Sequence, residues 1–168
     1  MTADHDFTPI VKLALKKGDP WARIREDLKL SESSLLLALG SEAEAIMKFA
    51  LMKRSPDKVV IFQQGEAGDS LYCVVSGAVR LFARKDKDAI ELPSIGVGDV
   101  VGETEVLGGP GQRHMSAIAQ GIVELIEMPR KSLLVEGMLP APMESLLNRV
   151  RKTRANQLDE LTSFMNRW

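Results

Sequence analysis

Residues 65–84 read GEAGDSLYCVVSGAVRLFAR. Two short apolar runs, LYCVV and AVRLFAR, are set off by glycines. In the second run Val79, Leu81 and Ala83 fall on one side of an extended chain, and Arg80 and Arg84 on the other. A period of two with one apolar face marks a half-buried strand. The same texture holds from Lys58 to Pro129, where KVVIF, AIELPSI, HMSAIA and IVELIEM alternate with glycine turns. Short β-rich runs at close, regular spacing predict a sandwich or barrel with antiparallel pairing.

Both flanks read as helix. Upstream, Thr8-Pro9 is an N-cap followed by proline at the first helical position, and the helix it opens closes at Gly18. Asp19-Pro20 repeats the signal before WARIREDLKL. Ser31 opens a third, short helix closed by Gly40. Ser41 opens a fourth, EAEAIMKFALMKR, which carries acids early and bases late and stops at Pro56. Downstream, RKSLLVEGM reads as a short helix, and a long one runs from about Pro142 to the C-terminus. Met143, Leu147, Val150, Leu158, Leu161, Met165 and Trp168 recur on it at three- and four-residue steps, and the stripe weakens over 151–156. Such a stripe packs on strands or pairs with a second copy as coiled coils do, and the sequence leaves both open. The expected class is α+β: an antiparallel β-roll or jelly roll with N-terminal helices and a long C-terminal helix. The expected division is a helical segment over 1–45 and a domain over 46–168, with the roll at about 58–129 and C-terminal helices over 130–168.

Composition narrows the function. Hydrophobic residues make up 45% of the 168, enough for one domain with a real core plus accessory helices. Lys and Arg total 22 against 23 Asp and Glu, which argues against nucleic acid as the main partner. The single cysteine, Cys73, excludes an intramolecular disulfide and sits in an apolar run, as a core residue does. The opening MTADHDFTPI has no basic region followed by an apolar run, and no apolar segment reaches about 18 residues. The expectation is a cytoplasmic protein without a membrane anchor.

Residues 100–120, VVGETEVLGGPGQRHMSAIAQ, place an acid and a base on either side of a glycine-rich loop. Read alone, Glu103 caps a turn and Arg113 pairs with Glu103 or Glu105. The order of elements, helices then roll then a short and a long helix, resembles the cyclic nucleotide-binding domain. Residues 65–82 are similar to that family's first signature: a glycine, two residues and Gly-Asp precede an aromatic-containing strand, and a further glycine opens the next. Gly102-Glu103 and Arg113 fall where the family has its phosphate-binding cassette. The resemblance spans about residues 46–168. It implies that Arg113 takes the cyclic phosphate and Glu103 a ribose hydroxyl, with Gly102, Thr104 and Glu105 supplying backbone donors or shape. Guanidinium and backbone amides suit a compact anion, and a carboxylate suits a hydroxyl. The long helix is implied to cover the base near Asn156, Gln157, Asp159, Glu160 and Thr162; Asn156 and Gln157 best suit an adenine edge. The implied ligand is cAMP or a related cyclic nucleotide, with no other cofactor and no metal. The implied partner is an unidentified protein, with a homodimer through the C-terminal helix as a further expectation. Ending at Trp168, the chain lacks the winged helix-turn-helix of related transcription factors, so no DNA binding of that kind is expected. The β-roll is shared with cupin enzymes, but His5 and His114 are too few for their metal cluster and no nucleophile–base pair stands out, so the expected protein is not an enzyme.

Two positions depart from the family pattern. Glu105 stands where a small residue is usual, and His114 where a small or hydroxylated one is. Two like charges about 5 Å apart at an effective dielectric of about 20 repel by roughly 3 kcal/mol, about a hundredfold in affinity. Glu105 therefore opposes a bound phosphate unless it turns outward or pairs with Arg113. His114 is a phosphate donor or a surface turn residue. Two function classes remain: a cyclic nucleotide sensor, or a degenerate roll serving as an interaction scaffold through its N-terminal third, with Trp21 and the leucines at 35–37. An arginine pointing into solvent would defeat the sensor. An Arg113–Glu105 ion pair filling the site would favour the scaffold.

Overall fold

The computed structural model describes residues 6–9, 49–108 and 111–166. Their elements are β1 (Asp6–Pro9), β2 (Leu51–Ser55), β3 (Val60–Phe62), β4 (Leu71–Lys85), β5 (Asp88–Ile95), β6 (Val100–Val101), α1 (Glu103–Val106), β7 (Ser116–Met128), α2 (Arg130–Leu133) and α3 (Ala141–Met165). The strands follow the order β1-β2-β7-β4-β5, with β3 added to β7 and β6 to β4. Every pairing is antiparallel. An antiparallel roll carrying a C-terminal helix is the expected class.

The two central strands are longer than the sequence pattern suggests. LYCVV and AVRLFAR form one strand, β4, and HMSAIA and IVELIEM lie largely within one, β7. The glycines between the halves bend the strands without reversing them. Gly77 has φ of 84°, and the β4–β7 register slips on both sides of Ser76. A Cβ at Gly77 would collide with the Ile122 carbonyl of the partner strand. Only glycine allows that approach, and the product is a bulge.

Burial along β4 changes at this bend. Residues 71–75 are buried on both faces, whereas Val79, Leu81 and Ala83 alternate with part-exposed neighbours. Leu71, Cys73 and Val75 join a cluster with Ile126, Met128, Leu133, Met143 and Leu147, where α2 and α3 pack on the sheet. Tyr72 and Val74 face the inside of the roll with Phe62, Val79, Leu81, Leu92, Val101 and Leu125. Burial pushes the Cys73 thiol up to about 12, with the Asp99 charge adding to it, so Cys73 is an inert core residue.

Two helical expectations need correction. The tail of the fourth helix, LMKRS, is strand β2, and Leu51 to Ser55 pair with Glu127 to Val123 of β7. Leu, Met, Lys and Arg favour helix locally, but the ladder offered by β7 overrides that preference. The helix start read at Thr8-Pro9 falls on β1, which pairs with β2. The other upstream helices, including Trp21 and residues 35–37, lie outside the described residues. α2 is one turn only, because the chain reverses through Glu136 and Gly137, both at positive φ, and bridges Val135 to Met138. α3 buries Met143, Leu146, Leu147 and Arg154. Among the described residues no helix is long and apolar enough to cross a membrane.

Candidate functional site

β6 delivers the chain to Gly102, the residue before α1, at φ of 97°. Its Cα lies so close to the Ser70 carbonyl and the Arg113 guanidinium that a Cβ would meet both. α1 then makes a single turn in which Glu103 and Glu105 are each 3% exposed. Residues two apart on a helix leave it about 200° apart. The two carboxylates accordingly run to different partners.

Glu103 turns toward α3. Its Oε2 accepts from Arg154 Nη1 at 2.7 Å. Arg154 also donates through Nη2 to the Val100 carbonyl, so one guanidinium ties the end of β6 and the start of α1 to the long helix.

Glu105 turns into the roll. Its Oε1 accepts from Arg113 Nη1 at 3.0 Å, and its Oε2 lies 3.1 Å from His114 Nδ1. Arg113 Nη1 also donates to the Ser70 carbonyl at 2.9 Å. The guanidinium carbon lies 4.4 Å from the Phe62 ring centre and 5.4 Å from that of Tyr72, and the two rings stack at 5.6 Å. A Cβ on Gly68 would lie 3.0 Å from Arg113 Nε. Arg113 is 4% exposed: it points inward, into a slot walled by two rings and two glycines. Cation–π contact and charge-assisted hydrogen bonding both strengthen as water is excluded.

Backbone pairing joins the two motifs. Arg113 N donates to the Glu66 carbonyl and Gly65 N to the Arg113 carbonyl, each at 2.8 Å, while Gly68 N donates to the Gly111 carbonyl at 2.7 Å. The first signature is thus the support for the arginine of the second.

A second polar group lies behind the aromatic pair. Tyr72 donates its hydroxyl to Glu127 Oε2 at 2.8 Å, and Lys53 Nζ lies 5.1 Å from the Tyr72 ring centre and donates to the Ile61 carbonyl at 3.3 Å. Burial holds the Lys53 ammonium below its usual range, the Glu127 and Glu66 charges draw it back up, and Arg113 pushes it further down. Burial, then Glu127, raises the Tyr72 phenol. Every buried side-chain nitrogen and oxygen among the described residues has a hydrogen-bond partner.

The structure therefore brings Gly102, Glu103, Glu105, Arg113 and His114 together. Thr104 is part-buried on α1, and His114 is half-exposed at the rim. Glu105 neither turns outward nor stays free: it holds Arg113 and meets His114. Gln157 lines a cleft of about 380 Å³ between β5 and α3, with Pro93, Ile95, Thr153 and Arg154. Asn156, Asp159 and Glu160 are exposed on α3, and the Thr162 hydroxyl donates to the Leu158 carbonyl. Sequence reasoning missed Arg154, Phe62, Tyr72 and Ser70. Arg154 carried a signal: it stands at the stripe position between Val150 and Leu158, where an apolar residue is due and the stripe weakens.

A family model described as "Cyclic nucleotide-binding domain" matches residues 52–135, half of the chain. The "Cyclic AMP receptor protein" of Thermus thermophilus is 33% identical over 94 residues, which are 55% of this chain and 43% of that protein. The chain thus spans less than half the length of this relative. The crystal structure of the Thermus thermophilus catabolite activator protein superposes with a TM-score of 0.63 at 29% identity, covering 77% of this chain and 63% of that one. The regulatory subunit of a cAMP-independent protein kinase A from Trypanosoma brucei has the same fold, with a TM-score of 0.64 at 22% identity, over 80% of this chain and 49% of that one.

Proposed function

The chain belongs to the cyclic nucleotide-binding domain family, and on that premise we propose that it is a regulatory module that takes a cyclic nucleotide, cAMP first, and passes its occupancy to α3 and from there to a protein partner. The observation that carries this reading is the 2.7 Å pair between Glu103 and Arg154. A ribose hydroxyl that takes over Glu103 competes directly with a side chain of the long helix, so binding and helix position share one carboxylate. Arg113, directed inward and stacked on Phe62 and Tyr72, is the seat for the cyclic phosphate. Gln157, in the cleft beside Arg154, is the side chain assigned to a base edge, since its amide can both donate and accept. The similarity to a cyclic AMP receptor protein supports the choice of cAMP. On α3 beyond Leu158, Met165 is 44% exposed and is a contact point for a partner or a second copy.

One observation favours a second reading. The Arg113–Glu105 pair at 3.0 Å already satisfies the anion seat, as an interaction scaffold without nucleotide would have it. Calorimetric titration with cAMP and cGMP separates the two. The sensor reading expects heat with cAMP, and its loss in Arg113→Leu with secondary structure intact by circular dichroism. No heat from either nucleotide at millimolar concentration defeats the sensor and leaves the scaffold.

A further inference from the structure

We propose that Glu105 is a tethered competitor for the ligand's phosphate, latched by His114, and that a cyclic nucleotide is seated only after this carboxylate leaves Arg113. The proposal rests on the nucleotide reading above. Three observations carry it.

The seat is taken. Arg113 Nη1, the nitrogen directed at the loop, is shared between Glu105 Oε1 and the Ser70 carbonyl, at 3.0 and 2.9 Å. A carboxylate offers two oxygens and one negative charge, as a cyclic phosphate offers its two free oxygens and one charge. Glu105 presents the charge and one such oxygen, Oε1, to Arg113 from within the chain, while Oε2 meets His114.

The seat is also fixed. Phe62 and Tyr72 hold one side of the guanidinium, and Gly68 and Gly102 approach its edges so closely that neither tolerates a Cβ without a shift. Arg113 cannot swing away to meet a ligand elsewhere, so the competitor has to move. With Glu105 in place, an incoming phosphate would put two anions on one cation. At about 5 Å and an effective dielectric of about 20 that repulsion weakens binding about a hundredfold. A carboxylate on the same loop also competes at a high effective concentration that no dilution removes.

The latch lies at the solvent edge. Glu105 is 3% exposed, whereas its second partner, the His114 side chain, is 46% exposed. The carboxylate therefore has a way out past His114. His114 touches Glu105 without touching the seat, which makes it a positioning residue for the competitor.

The test titrates cAMP and adenosine, which lacks the phosphate, into the unchanged protein and into Glu105→Gln, Glu105→Ala and His114→Ala, by calorimetry and thermal shift. Gln keeps the shape and drops the charge. The expected result is cAMP affinity raised about a hundredfold in Glu105→Gln and Glu105→Ala, and about fivefold in His114→Ala, the worth of one hydrogen bond. Adenosine affinity stays the same throughout. If Glu105→Ala loses its fold, Glu105→Gln and the half-exposed His114→Ala still report the effect. Equal cAMP affinity in the unchanged protein and Glu105→Gln overturns the competitor and leaves the nucleotide reading standing. An equal gain for adenosine also overturns it, because the effect is then not at the phosphate. No cAMP binding by a folded Glu105→Gln removes the nucleotide reading and the competitor with it.

Discussion

Glu103 and Glu105 sit on the same turn of α1, equally buried, and each holds an arginine. They differ in where the arginine comes from. Arg113 lies eight residues from Glu105, on the same loop, in a slot fixed by rings and glycines. Arg154 lies 51 residues from Glu103, on a helix that meets the roll along one face. The first pair is internal to the site, and on the proposed reading it bears on which anion enters. The second ties the start of α1 to the long helix, and on the same reading it bears on how that helix responds. On that reading two carboxylates of one turn divide selectivity from coupling.

That division is sharpest where breaking it costs most. Arg113→Leu removes the buried Glu105 carboxylate's charge partner and the cation over Phe62, and should cost about 4 kcal/mol by denaturant unfolding. The double variant Arg113→Leu/Glu105→Leu should recover much of that loss, since no charge is then left unpaired. A double variant no more stable than the single one would show that the rings and the Ser70 carbonyl, not the pair, hold the slot. Arg154→Leu should cost less, about 3 kcal/mol, and act elsewhere: amide hydrogen exchange should quicken in α3 beyond residue 150 while β4 stays protected. Exchange quickening equally in both would remove the distinction between the pairs. At the low end, Arg80→Ala breaks the bidentate pair with Glu91 on the outer face, whose side chains are 44% and 42% exposed. The unfolding midpoint should not move measurably. A clear loss there would mean that burial is not what separates these ion pairs.

The roll was legible in the sequence because alternation is local. Val79, Leu81 and Ala83 declare their face within five residues, and the observed burial follows them. The ends of strands were less legible. Gly77 and Gly121 read as turns because glycine serves reversals and bulges alike, and only the partner strand decides which. LMKRS read as helix because its pairing partner lies some 70 residues on. The site divides in the same way. Glu103, Glu105, Arg113 and His114 lie within twelve residues of one another, and the motif displays them together. Arg154 is remote in sequence, and its position on the apolar stripe was the trace it left. The partners of Arg113 behind the loop were hidden for another reason: Ser70 contributes a carbonyl, and Phe62 and Tyr72 look like any core aromatics.

Residues 71–75 form a partition with a packed cluster on each side. Leu71, Cys73 and Val75 are the surface on which the long helix rests, and Tyr72, between them, is one of the rings behind Arg113. Consecutive links of one backbone cannot be displaced independently. On the proposed reading, a shift of the helix that tilts this partition would also tilt the ring behind the guanidinium, a second route from helix to site beside the Arg154 tie.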